Sequence, residues 1–368
     1  MDRTIEGGAR IRKFIVYTGP GSSNSWIWLA DFLEKQRFLT SIFAPEVEDI
    51  ISASDDSILI IPGGDTFRIA RAFGESGLCQ LSKKISNGMG YVGICAGAYL
   101  PLRSSIPPLS SFNIMSAKIS NISSSLPNGI AEPDKYSVRY GCLYVFHPVR
   151  GPVKLTGDAE LVAPIYGGPF LSSSGGERVR LTFSGTTADT ELLVGIETYN
   201  GISEGKAACI EQGFGEGRVL AIAPHLEHPD YPEANGYLRG LLLGFRTGRA
   251  TEEGPVEDMA ELKELRSTLA DLRVLASALE SNSWKIGVKY WESEKLLFYI
   301  DAIRKRVPRA GGDHPATPEV LARLQVASRD LKALHERYEE RVLQSIVDNL
   351  SRAASIYLTA HFARSRGS

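Results

Sequence analysis

Gly93-Ile94-Cys95-Ala96-Gly97-Ala98-Tyr99-Leu100 is the stretch whose reading decides the fold. The run that feeds it, Gly90–Ile94, is apolar and rich in strand formers, which predicts a buried strand. The residues after it, Ala96–Leu100, predict the first turn of a helix. A cysteine between glycines at a strand-to-helix corner is a nucleophile elbow: the tight turn needs small neighbours and lifts the side chain toward a substrate. The N–H groups and positive dipole end of the following helix then favour thiolate over thiol.

Working outward, Ile11–Thr18 predicts a first strand, which runs into Gly19-Pro-Gly-Ser-Ser-Asn24, a loop suited to capping a helix over Ser25–Gln36. Leu39–Ala44 and Ser57–Ile61 predict two more strands. The second is apolar on both faces, as in the centre of a parallel sheet. It ends in Pro62-Gly63-Gly64-Asp65, followed by helical stretches at 66–73 and 77–86. Strands alternating with helices predict a doubly wound, mostly parallel sheet with its ligand site beyond the carboxyl ends of the strands.

From about 105 to 220 the pattern turns β-rich, with strands expected at Tyr140–Phe146, Val179–Phe183, Leu192–Thr198 and Lys206–Glu211. Gly217–Pro224 predicts another buried strand, ending in His225-Leu226-Glu227-His228, and a helix at 235–248 closes this half. Of 36 glycines only Gly254, Gly287, Gly311, Gly312 and Gly367 lie beyond residue 250. The expected division is therefore a glycine-rich α/β domain at 1–250 and a helical domain at 251–368. Three apolar stripes mark the latter: Met259–Leu279, Trp284–Ile303, and one of some forty residues from Leu321 to Tyr357. Part of Val342–Phe362 is expected to dock onto the α/β domain or pair with a second copy. A homo-oligomer through this tail, or a protein partner for it, follows as an expectation.

Composition narrows the function. The 368 residues are 43% hydrophobic and 23% charged, with a net charge of −2 and acids and bases interleaved. No nucleic acid or membrane partner is expected. The N-terminus has no apolar core of signal-peptide length, which with the scattered cysteines predicts a cytoplasmic, reduced protein. Cys79, Cys95, Cys142 and Cys209 form no metal-ligand spacing, so neither metal nor other cofactor is expected.

Two other stretches complete the chemistry. At a strand end, residues two apart point to one side, so Glu227 can hold one ring nitrogen of His225 and leave the other for the proton of a thiol. The backbone N–H groups of Gly63 and Gly64, with that of Ala96 at the elbow, suit an oxyanion hole. Pro-Gly-Gly, then Gly-x-Cys-x-Gly, then His-x-Glu, in this order, resembles the class I glutamine amidotransferases. The resemblance implies a flavodoxin-like sheet carrying a Cys95-His225-Glu227 triad. More specifically, Tyr17-Thr18-Gly19, Pro62–Asp65, Gly93–Tyr99, Tyr166-Gly-Gly-Pro-Phe170 and Pro224–Glu227 resemble the N-terminal domain of biotin–protein ligases, of the stand-alone microbial type, over about 11–247.

By that resemblance Asp65 and Tyr99 would touch substrate. Tyr99 stands where glutamine-using members commonly carry Gln or Glu. No Gly-Arg-Gly-Arg-x-Gly-type loop is present, so biotin ligation is not implied. The expected activity is a thiol-dependent amidohydrolase or amidotransferase-like reaction on a small-molecule or peptide carboxamide. The alternative is a catalytically silent scaffold or binding protein acting through its helical tail, and a third reading is a cysteine-based redox protein.

Overall fold

The computed structural model describes residues 12–120, 142–143, 147–245, 262–286, 289–292, 294–308 and 316–365. The first half runs β1 (Lys13–Tyr17), α1 (Ser25–Lys35), β2 (Ser41–Ala44), α2 (Val47–Ile51), β3 (Ser57–Ile61), α3 (Thr66–Ser86), β4 (Gly90–Ile94) and α4 (Ala96–Tyr99). Short pieces follow: β5 (Lys118–Ile119) and β6 (Cys142–Leu143). The β-rich part is β7 (Val149–Gly157), β8 (Leu161–Ile165), β9 (Leu171–Ser172), β10 (Arg178–Thr186), β11 (Glu191–Leu192), α5 (Ile196–Ser203), β12 (Ala207–Phe214) and β13 (Gly217–Ile222), closed by α6 (Pro232–Leu243).

Twelve strands form one sheet, whose main path is β11-β7-β10-β12-β13-β4-β3-β1-β2. The five strands β13-β4-β3-β1-β2 are mutually parallel, which is the flavodoxin-like 2-1-3-4-5 order. From β12 outward the pairing turns antiparallel. Side chains alternate between two cores. Phe14, Val16, Ile58, Ile60 and Val92 enter one cluster, while Ile15, Tyr17, Leu59, Ile61 and Tyr91 enter the other. Burial on both faces is why these strands read as continuous apolar runs.

The two helical stretches expected after Asp65 are both present, meeting within α3 at a kink at Gly74 with φ 63°. Other local expectations are corrected. The side chain of Asn24 does not cap α1. Leu192–Thr198 is not a strand; pairing stops at Leu192 and α5 begins at Ile196, with Tyr199 and Ile202 buried one turn apart. Of Tyr140–Phe146, only Cys142–Leu143 lies within the described residues.

The tail holds α7 (Leu262–Ser277), β14 (Ser283–Ile286), β15 (Lys289–Glu292), α8 (Glu294–Arg304), α9 (Pro318–Glu336) and α10 (Glu340–Arg364). It is not wholly helical. The stretch from Trp284 opens as two antiparallel strands, the second of which pairs with β6; the aromatic and β-branched residues Trp284, Ile286, Tyr290 and Trp291 suit strands better than a helix. The forty-residue stripe is two helices, broken where Arg337 and Glu339 are extended.

The apolar stripe of α10 takes the first of its two expected outlets and docks on the sheet. Tyr357, Leu358 and Phe362 are fully buried in the cluster that holds Phe14 and Val16, and the Phe362 ring lies 5.3 Å from that of Phe43. Thr359 Oγ1 accepts from the Phe43 N–H at 2.9 Å, occupying a donor of edge strand β2. A homo-oligomer through the tail would therefore have to use other faces. Among the described residues no helix is long and apolar enough to cross a membrane.

Candidate active site

Cys95 follows β4 at φ 52° and ψ −105°, a conformation that a side chain adopts at a cost of roughly 1–3 kcal/mol. Close packing enforces it. A side chain at Gly93 would collide with the Gly97 carbonyl, and one at Gly97 with the Ile61 carbonyl. Three hydrogen bonds fix the corner: Cys95 N–H to Ile222 O at 2.8 Å and Gly97 N–H to Pro62 O at 3.2 Å, and Thr66 Oγ1 to Ala96 O at 2.8 Å. The elbow is thus clamped between β3, β13 and the start of α3. Because α4 is a single turn, its dipole contributes less at the sulfur than the expected longer helix would.

His225 and Glu227 lie beyond the end of β13, in a turn rather than on the strand itself. The turn is held from two sides. His225 N–H donates to Pro164 O at 2.8 Å, and the buried Asn235 amide of α6 donates to Leu226 O at 2.7 Å and His228 O at 3.0 Å. The result is a 2.7 Å contact between His225 Nδ1 and Glu227 Oε1, with the Cys95 sulfur near enough to act on the imidazole's charge. Cys95, His225 and Glu227 are 3%, 3% and 1% exposed, so these contacts act in a dry environment.

Burial pulls His225 toward its neutral form, but the Glu227 carboxylate and the Cys95 sulfur outweigh it and hold its pKa up at about 10. The imidazole therefore carries its proton at neutral pH. His228 goes the other way, pulled down to about 4 by burial and by the charge on His225. The two neighbouring histidines are thus distinguished: His225 is bonded to Glu227, while the His228 ring lies tilted against that of Trp28, with centroids 4.5 Å apart.

The remaining predicted residues divide. Gly63 packs directly against His225, where an added Cβ would lie 2.9 Å from Cε1. Gly64 adopts φ 149°. Ala96 N–H is the first of its helix and has no intrahelical acceptor, so this donor and the Gly63–Gly64 turn flank the elbow. Asp65 Oδ1 accepts from Arg68 N–H at 3.1 Å and caps α3. Tyr99 donates its phenol to Gly167 O at 3.0 Å, which ties the Tyr166–Phe170 stretch to the elbow; burial holds its pKa well above the usual phenol range.

The surrounding wall was not legible as such. Trp28 of α1 meets the His225 ring edge-on at 5.4 Å, Tyr166 lies 5.6 Å from it, and Phe298 of α8 stands against Trp28 at 6.3 Å. Aromatic spacing in α1 signals burial, yet nothing in the sequence joins Trp28 to residues 138 and 270 positions away. Among the described residues no group of three His, Cys, Asp or Glu is placed to hold a metal ion.

Residues 13–104 match the family model described as biotin-protein ligase, N terminal. No curated protein matches the chain. Solved structures are similar over about two thirds of it. A glutamine amidotransferase is 16% identical at a TM-score of 0.41, over 63% of this chain and 98% of that one. A Thermoplasma acidophilum protein assigned to a GMP synthase is 13% identical at 0.36, over 65% and 95%. A Bacillus circulans β-galactosidase is 10% identical at 0.34, over 66% of this chain and 31% of that one. At such scores the likenesses carry no argument about activity.

Proposed function

We propose that this protein is a thiol-dependent amidohydrolase or amidotransferase-like enzyme acting on a carboxamide. The observation that carries the reading is the buried 2.7 Å His225–Glu227 hydrogen bond beside a strained elbow whose Cys95 is near enough to raise the His225 pKa. Cys95 Sγ attacks the carboxamide carbon, and the developing oxyanion is met by Ala96 N–H and the Gly63–Gly64 turn. His225 gives its proton to the departing nitrogen, the C–N bond breaks, ammonia leaves, and a thioester remains. Neutral His225 then takes a proton from water, hydroxide attacks the thioester, and the C–S bond breaks to regenerate the sulfur and its protonated partner. Glu227 holds the imidazole in place throughout.

With Tyr99 engaged by Gly167, the recognition of glutamine itself falls to other residues. A small or peptide carboxamide is therefore the substrate class. The test is incubation of the full chain with a glutamine-mimicking diazoketone, read by intact mass and peptide mapping. One adduct at Cys95, absent from His225→Ala, is expected. The alternative, a silent scaffold, is favoured by the near-complete burial of Cys95; an unmodified protein after prolonged incubation would select it.

A further inference from the structure

A cavity of about 1330 Å³ lies apart from the thiol, between the α/β half and the tail. Its floor is the Thr18–Ser22 loop after β1 and the Gly64–Asp65 turn after β3. This is the carboxyl-end crevice between β1 and β3, where the strand order of a 2-1-3-4-5 sheet reverses and where such sheets place ligands. Its volume exceeds the usual range for a small-molecule site, so it admits an organic molecule with room for water.

The walls differ in character from the rest of the interface. On α3, Phe67 and Arg71 are four residues apart and Arg68 and Arg71 three, so each pair is adjacent on the helix surface, and all three line the cavity. Facing them, Arg341, Gln344, Ser345 and Asp348 form the polar stripe of α10, opposite the apolar stripe that docks on the sheet. Phe67 is 37% exposed, unusual for a large aromatic in a cavity wall. The other two lining arginines are already paired, Arg352 with Glu46 and Arg323 with Glu319. Arg68, Arg71 and Arg341 have no ion pair among the described residues. Arg68 interacts with Asp348 only at longer range, and the Asp65 carboxylate is turned to the α3 backbone.

The geometry points to a binding site for an organic phosphate bearing a planar ring, with its phosphoryl group among Arg68, Arg71 and Arg341 and its ring on Phe67. Guanidinium groups on both walls match the fork of a phosphate. An exposed aromatic beside them offers the stacking surface that a base uses. The ligand would span the α/β half and the tail and bind only when the tail is docked.

Calorimetric titration of the full chain with AMP, adenosine and inorganic phosphate, at fixed ionic strength, tests this. AMP is expected to bind with a Kd below about 1 mM and at least about tenfold tighter than adenosine or phosphate alone. The double variant Arg68→Met/Arg341→Met is expected to weaken AMP by about tenfold or more, and Phe67→Ala by about fivefold or more. Unchanged thermal unfolding of these variants, whose substituted side chains face the cavity, shows that they fold. No measurable AMP binding at about 5 mM, AMP no tighter than either half-molecule, or undiminished binding to the double variant overturns the proposal.

Discussion

Around Cys95 the chain has almost no freedom, whereas in the tail comparable burial is reached with interchangeable residues. Gly93 and Gly97 sit where any side chain would meet backbone, and Asn235 is committed to two carbonyls. In α7, α9 and α10 the buried positions are mostly Leu, Ile, Val and Ala, which can exchange at modest cost when volume is kept. The difference teaches where sequence carries geometry: a site built from backbone close approach needs particular residue types at fixed spacing, and a docking face needs only an apolar stripe. Yet the two regions share a core, since the cluster that holds Val92 and Cys95 also holds Leu272, Ile300 and Phe362.

The hardest way to break the comparison is to remove the tail. A chain ending at Arg249 would bare Trp26, Phe43 and their neighbours, so a fall in Tm of more than about 10 °C, or insolubility, is expected. Thermal unfolding by circular dichroism checks it. A shortened chain that melts with the parent would show that the α/β half stands alone and that the shared core contributes little.

Next in size is the site itself. Changing His225→Ala is expected to slow alkylation of Cys95 by about tenfold or more near neutral pH, and Glu227→Gln by less in the same direction. Intact-mass kinetics decide it. Equal rates would mean that His225 and Glu227 have no chemical consequence for Cys95.

A smaller effect sharpens the role of the tail. Phe298 stands against Trp28, whose ring meets His225, so Phe298→Ala is expected to raise the labelling rate at Cys95 about threefold by loosening the wall. An unchanged rate would remove α8 from the control of access.

The smallest expected effect is at the latch between the regions. Burial raises the Glu34 carboxyl, but His361 and Arg306 outweigh it and hold it at about 2. A depressed carboxylate stabilises above its unfolded value, roughly 4.3, and that contribution is lost as pH falls through about 2. The Tm difference between the parent and Glu34→Gln should therefore shrink from about pH 5 to about pH 2.5. A difference independent of pH would show that the Glu34 contacts are not ionic.

How far the sequence could be read follows the same division. Strands β1, β3, β4 and β13, the kinked α3 and the Cys95, His225, Glu227 and Gly63 positions were all legible, because glycines, continuous apolar runs and turn chemistry report backbone directly. The strand pair β14–β15 was not, because its aromatic residues also fit a helical stripe. The break between α9 and α10 escaped for a related reason: Arg337-Tyr338-Glu339 contains neither Gly nor Pro, and the extended backbone there is set by α10 folding back on α9. Docking of α10 on β2 was legible only as a need for some partner surface. Tyr99 and Asp65 are tied to Gly167 O and to the start of α3, tasks that their spacing does not reveal.

The central claim is that Cys95 is a nucleophile activated by His225. Competition labelling of the full chain with limiting iodoacetamide at about pH 6, followed by peptide mapping, tests it most directly. A reference thiol with a pKa of about 8.5 is almost wholly protonated there, whereas Cys95 has beside it the protonated His225, held at about 10, the kind of cationic neighbour found at reactive cysteines. Cys209, pushed up to about 12 by burial, should stay inert. The account predicts that Cys95 is modified before Cys79, Cys142 and Cys209, despite the exposure of Cys79. Equal modification of all four, or Cys95 the slowest, would contradict it.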